Sequence, residues 1–212
     1  AKEHSRVQVR LQVGNRDQIV RMLAGQEIDL AIMGRPPGEL KTVSTVFARH
    51  PMAFLAAPGY PLMSRSMGDL TALAEERILV RERGSGTRAT VERLFREAGM
   101  PMRISSEMSS NEAIKHMCAA GFGVAFLSLH TCVLELRAGL LQVLPLPGNP
   151  LERDWHVMHL GGRQLPYVAE TFEKFLVEHG QAGISRQLEP HNLPLPEARS
   201  RTRRRAVPRT RN

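Results

Sequence analysis

The stretch that most constrains this chain runs from Ile78 to Arg88, Ile-Leu-Val-Arg-Glu-Arg-Gly-Ser-Gly-Thr-Arg. Its first three residues are apolar and partly β-branched, the signature of a buried strand end. Gly84 and Gly86 then allow a tight turn and close backbone approach. Ser85 or Thr87 can cap a helix over Thr90 to Ala98, whose Val91, Leu94, Phe95 and Ala98 recur at helical spacing. A strand, a glycine turn and a helix start make a site where free N–H groups, a positive helix end, two hydroxyls and Arg88 can meet an anion. The same features also suit an ordinary strand-to-helix turn with a good cap.

Two nucleotide motifs are excluded here. A P-loop needs a Lys after its second glycine, and none stands in this stretch. The dinucleotide fingerprint needs a third glycine, and Ala89 occupies that place.

Units of the same kind recur along the chain. Val7, Val9, Leu11 and Val13 alternate with polar residues and read as a half-buried strand. Asn15 caps a helix over Arg16 to Ala24, ended by Gly25. Leu30 to Met33, Val43 to Phe47 and Met52 to Ala57 read as strands. Pro58-Gly-Tyr-Pro61 is a hard punctuation. A helix is expected from Asp69 to Glu76. After the Ile78 unit come a strand at Arg103 to Met108 and a helix opened by Ser109-Ser-Asn-Glu112. Strands follow at Val124 to Leu127, Leu140 to Leu144 and Trp155 to Leu160, with a helix at Thr131 to Arg137. Pro166 starts a last helix, closed by His179-Gly180. Strands alternating with helices imply an α/β fold with mainly parallel sheets. The expected division is a first lobe of 1–57 plus 153–180, a second lobe of 58–152, and a basic disordered tail of 181–212.

Composition supports a globular body with a charged end. The formal net charge is +8, but Gln181 to Asn212 holds eight arginines against two glutamates. The rest is nearly balanced. Without interleaved aromatics, the arginine run suits a solvated tail or non-specific phosphate contact rather than base stacking. No long apolar run or signal peptide is recognisable, so no membrane partner is expected and a cytoplasmic location is. Cys118 and Cys132 read as small buried residues. His156 and His159 make a poor metal pair, and no nucleophile–base constellation stands out. No metal, cofactor or catalytic residue is expected, and Trp155 is expected at the interlobe crossing.

The run from Leu11 to Arg16, Leu-Gln-Val-Gly-Asn-Arg, is followed by Glu27-Ile-Asp-Leu-Ala-Ile-Met-Gly-Arg-Pro-Pro37. Further on come Ala56-Ala-Pro-Gly-Tyr-Pro-Leu, Arg81-Glu-Arg-Gly-Ser-Gly-Thr-Arg, Ser110-Asn-Glu-Ala-Ile-Lys and Ala120-Gly-Phe-Gly-Val-Ala-Phe-Leu. In this order they resemble the effector-binding domain of LysR-type transcriptional regulators. The wording at Gly34-Arg-Pro-Pro and Gly84-Ser-Gly-Thr-Arg is most similar to regulators of Calvin-cycle (RuBisCO) operons.

That resemblance implies two lobes like those of periplasmic binding proteins, with a small anionic or phosphorylated metabolite held between them. It implies that Asn15 and Arg35 line the cleft from the first lobe. From the second it implies Ser85, Thr87 and Arg88 at the strand–helix turn, and Ser109, Ser110 and Asn111 at the next helix start. It implies DNA as a partner, through an N-terminal helix-turn-helix, and a homo-oligomer in the full-length protein. The helix-turn-helix and the first strand–helix unit of lobe one are expected to be missing, leaving that lobe incomplete. The alternative is a transport-type solute receptor on the same fold.

Overall fold

The computed structural model describes residues 7–65 and 68–188. Its strands form two sheets, one of three strands and one of five. The first lobe begins with helix α1 (Arg16–Ala24), strand β1 (Ala31–Met33) and strand β2 (Thr42–Arg49). The chain crosses at His50–Pro51 and builds the second lobe. That lobe holds β3 (Met52–Ala56), β4 (Ile78–Arg81), α2 (Gly86–Glu97), β5 (Ile104–Met108) and α3 (Asn111–Ala119). It continues with β6 (Val124–Ser128), α4 (Val133–Arg137) and β7 (Gln142–Val143). The chain returns at Arg153 into β8 (Asp154–Leu160), and α5 (Tyr167–Leu188) follows.

The five-stranded sheet runs β5-β4-β6-β3-β7. β4 is parallel to β5 and β6, whereas β3 is antiparallel to β6 and β7. Every residue of β3 and β6 is buried, because helices cover both faces of the sheet. On one face Phe54, Ile78, Val80 and Phe126 pack with Val91 and Phe95 of α2. On the other, Leu55, Leu79 and Leu127 pack with Ile114 and Cys118 of α3. Cys118 and Cys132 are both wholly buried, and burial lifts their thiols to about 12 and about 11. They behave as small apolar residues.

The first lobe departs from the expected parallel sheet. β8 lies between β1 and β2 and is antiparallel to both. The returning strand enters from the second lobe, so it meets strands that ran toward that lobe. Leu23 of α1 packs with Ala31, Met33 and Met158. On the opposite side Phe47 and Val157 meet Leu176 and Ile184 of α5.

Four other expectations are corrected. β3 was assigned to the first lobe, yet it pairs with β6 and β7, so the crossing falls at His50–Pro51 and not near Pro58. Val7 to Val13 is no strand. Val9, Leu11 and Val13 are 78%, 84% and 90% exposed, and no described strand pairs with them. Alternation shapes a face, but a strand also needs a neighbour for its backbone donors and acceptors. The helix expected over Asp69 to Glu76 is a short 3₁₀ turn, Leu70–Leu73, capped by the Asp69 carboxylate on the Thr71 N–H. Finally, Gly180 does not end the last helix, which continues to Leu188. A methyl group on Gly180 would overlap the Phe47 ring, so the glycine serves close helix–sheet packing. Residues 181–188 of the expected tail are therefore helical, and the rest of that tail lies outside the described residues.

Candidate functional site

A cavity of about 1300 Å³ lies between the lobes, with room for a small metabolite and its water. The α1 start of the first lobe and the Gly84 turn of the second meet at its rim. The Asp17 amide donates to the Gly84 carbonyl at 3.2 Å. Gly84 has φ +85°, and a Cβ there would stand 2.9 Å from Asp17 Oδ2. Only glycine allows both the turn and this approach.

Seven of the eight expected site residues line the cavity: Asn15, Arg35, Ser85, Thr87, Arg88, Ser109 and Asn111. Ser110 does not. It is the N-cap of α3, and its hydroxyl accepts from the Ala113 amide at 3.4 Å. Asn15 lines the rim and is held at both ends of its amide. Its Oδ1 accepts from the Gln18 amide at 3.0 Å, and its Nδ2 donates to Glu82 Oε1 across the cleft at 3.2 Å. Asn111 Oδ1 accepts from Arg81 at 2.6 Å. Arg88 is spent on structure. Its guanidinium pairs with Glu92 and Glu107 and donates to the Arg81 carbonyl, with 7% of the side chain exposed. Its charge is thus neutralised within the protein. Ser85 stands at the N-cap of α2 without a side-chain capping bond, and it is buried. Ser85, Thr87 and Ser109 line the cavity, and none of their hydroxyls makes a capping bond to α2 or α3.

Arginines outnumber carboxylates in the lining of the cavity, and composition and spacing did not single out Arg93 or Arg153 among them. Arg35, Arg93 and Arg153 all line it. Arg93 pairs with Glu97 at 3.0 Å. Among the described residues, neither Arg35 nor Arg153 has a carboxylate within salt-bridge distance. Burial lowers the Arg153 pKa, and Arg93 and Arg35 lower it further by repulsion. Arg153 reaches both lobes from the crossing. Its Nη1 donates to Thr90 Oγ1 of α2 at 2.6 Å, and its Nη2 to the Gly34 carbonyl at 3.4 Å.

At the crossing itself, His50 stacks on Trp155 with ring centroids 3.7 Å apart. Trp155 Nε1 donates to His130 Nδ1 at 3.1 Å. Trp155 thus stands at the interlobe crossing, as expected. Burial, then His130 and Arg153, push His50 from its ordinary value to about 3, so the ring is neutral. Among the described residues no cluster of His, Cys, Asp and Glu is arranged to hold a metal. No described helix is long and apolar enough to cross a membrane.

Two lobes of α/β structure joined by crossing strands, with a polar cleft between them, define a periplasmic-binding-protein-like sensor domain. The LysR substrate-binding domain model matches residues 1–181, and the chain belongs to that family. The HTH-type transcriptional regulator CfxR of Cupriavidus necator is 41% identical over 184 residues, 87% of this chain and 58% of that protein. The RuBisCO operon transcriptional regulator of Allochromatium vinosum is 37% identical over 176 residues, 83% of this chain and 58% of that protein. The chain thus spans less than two thirds of these relatives. The Synechocystis PCC6803 CcmR regulatory domain, solved in complex with 2-PG, superposes with a TM-score of 0.79 at 36% identity. That match covers 84% of this chain and 85% of the CcmR chain.

Proposed function

We propose that this chain is the effector-sensing domain of a LysR-type regulator of a RuBisCO or Calvin-cycle operon. It binds a small phosphorylated metabolite in the interlobe cavity. The observation that carries this is the arginine cluster. Arg35 and Arg153 face one cavity without a carboxylate partner, beside Arg93 and the hydroxyls of Ser85 and Thr87. A bound phosphate would relieve their mutual repulsion and accept charge-assisted bonds from guanidinium forks. The complex of the CcmR domain with 2-PG supports the same ligand class. The named relatives are transcriptional regulators, which favours this reading over a transport receptor and over an enzyme.

Arg153 supplies a route from binding to shape. It ties Thr90 of one lobe to Gly34 of the other. An anion that takes over this guanidinium removes both ties and substitutes its own, biasing the angle between the lobes. In the full-length protein, that angle would alter DNA contacts made by an N-terminal domain, in a cytoplasmic homo-oligomer. No metal or cofactor takes part in this reading.

Calorimetric titration with 2-PG and a panel of phosphorylated metabolites tests the proposal. Arg153→Ala and Arg35→Ala should each remove a charge-assisted bond worth about 1.5–3 kcal/mol, roughly a tenfold to hundredfold loss of affinity. Parental affinity in both variants would remove the arginines from the site.

A further inference from the structure

Twelve of the sixteen exposed large apolar side chains among the described residues belong to the first lobe and the segment leading into it. The five-stranded sheet is covered on both faces, so the uncovered surface belongs to one lobe. Helix α5 carries much of it, and its sequence holds two seams. Ala169, Glu173, Leu176, Gly180 and Gly183 are half-buried on the sheet side, where Leu176 packs with Phe47 and Val157. A second set, Val168, Phe172, Phe175, His179, Ala182 and Arg186, is exposed throughout. Its steps alternate four and three residues, the spacing by which one helix seats against another. Val168, Phe172 and Phe175 are 50%, 46% and 53% exposed. The Phe172 and Phe175 rings stack with centroids 6.5 Å apart, and Phe175 meets His179 edge-on at 4.9 Å. The rings form one ledge, and they belong to no core cluster of the described residues.

We propose that this second seam is a self-association surface, on which α5 of a second copy of this chain lies antiparallel about a two-fold axis at Val177. About that axis Phe175 meets the partner's His179 and Phe172 meets the partner's Ala182. The bulky half of one seam therefore faces the smaller, more polar half of the other. A parallel pair would set Arg186 on Arg186 and align the two helix dipoles. The antiparallel pair opposes the dipoles and separates the arginines by about 27 Å at the rise of an α-helix. Both copies use the same seam at once, which closes the assembly at two. The three apolar side chains leave roughly 250 Å² exposed per copy. With its flanks, the seam buries on the order of 1,000 Å² across the pair, the lower bound of a specific interface. The pair is therefore weak, with a Kd of about 10–100 μM.

Sedimentation equilibrium of the chain from about 1 μM to 500 μM brackets that range and should show a monomer–dimer equilibrium. Phe172→Ser and Phe175→Ser should each weaken it by about tenfold, because a two-fold pair loses the ring twice. Both side chains lie outside the core, so the melting temperatures should stay within about 2 °C of the parent. Orientation is read with a short bismaleimide on variants carrying one added cysteine, since Cys118 and Cys132 are wholly buried. Glu178→Cys, beside the axis, should cross-link to its own copy, and Arg186→Cys should not. Should a serine variant melt early, the two cysteine variants decide the question. A monomer at every concentration overturns the pairing. A dimer that both serine variants retain overturns it too, because the contact then lies elsewhere, as on Val7 to Val13. Cross-linking at Arg186→Cys in place of Glu178→Cys overturns the antiparallel arrangement. No ligand enters the test, so its failure leaves the effector reading standing.

Discussion

The Gly84 turn of the second lobe and the crossing between the lobes line the same cavity, and they are built on opposite terms. At the turn, Arg88 and Asn15 are paired off. Arg88 is neutralised by Glu92 and Glu107, and Asn15 is held by Gln18 and Glu82. At the crossing, among the described residues, His50 and Ser128 are buried without hydrogen-bond partners, and Arg153 has no carboxylate within salt-bridge distance. The turn shapes the cleft. The crossing leaves buried polar groups unpaired, at some cost in stability. A motif rich in anion-binding features can therefore serve the fold, while Arg153, a lone residue at a strand crossing, is the group proposed to meet the ligand.

The largest effect expected from this contrast is on acid stability. His50 has its folded pKa lowered to about 3 from an ordinary 6.5, by burial first and then by His130 and Arg153. Between these values the unfolded chain holds a proton that the folded chain refuses. Stability from this group is complete above the unfolded pKa and is lost as pH falls toward the folded one. The slope approaches about 1.4 kcal/mol per pH unit, the free energy of one proton. His130, itself lowered by burial, adds in the same direction. Urea unfolding of the parent and of His50→Phe from pH 7 to pH 4 should give a flatter profile for the variant. Parallel profiles would mean that the crossing does not hold His50 neutral.

Next in size is an exchange of roles between two arginines. Arg88→Ala should lower stability by roughly 1.5–3 kcal/mol, since it strips charge-assisted bonds from a buried guanidinium. Its effect on ligand affinity should stay within about threefold, or ~0.7 kcal/mol. Arg153→Ala should do the reverse. Paired thermal melts and titrations separate the two patterns. An Arg88 variant that melts like the parent yet loses the ligand would return Arg88 to the site.

Sequence reasoning reached the fold more fully than the site, and particular residues show why. The buried runs of β3, β4 and β6 and the apolar spacing of α2 carry their periodicity in the chain, and they formed as expected. Val7 to Val13 had the same kind of signal and formed no strand, because pairing is a property of a neighbour. Gly180 read as a stop because glycine usually ends a helix, and nothing local revealed the Phe47 ring against it. Of the cavity lining, Arg35 was singled out through the resemblance. Arg153, Arg93, His50 and Ser128 were not singled out, because each is a lone polar residue with no motif around it. Only the two crossings bring His50 and Arg153 together, where the His50 amide donates to the Arg153 carbonyl at 2.7 Å.

The smallest effect concerns Ser110, which the resemblance put in the cleft and the fold puts at a helix cap. Its hydroxyl reaches the Ala113 amide at 3.4 Å, a long bond at an exposed position. Ser110→Ala should therefore cost about 0.5 kcal/mol, the low end for losing an N-cap. In a chain of this size that is a fall of roughly 1–2 °C in melting temperature. Ligand affinity should not change, because Ser110 does not line the cavity while its neighbours Ser109 and Asn111 do. Ser109→Ala supplies the contrast, since Ser109 lines the cavity and does not cap α3. A Ser110 variant with unchanged melting and a weakened titration would show that the cap residue reaches the ligand after all. The division between groups that hold the second lobe and groups that hold its ligand would then have to be redrawn at α3.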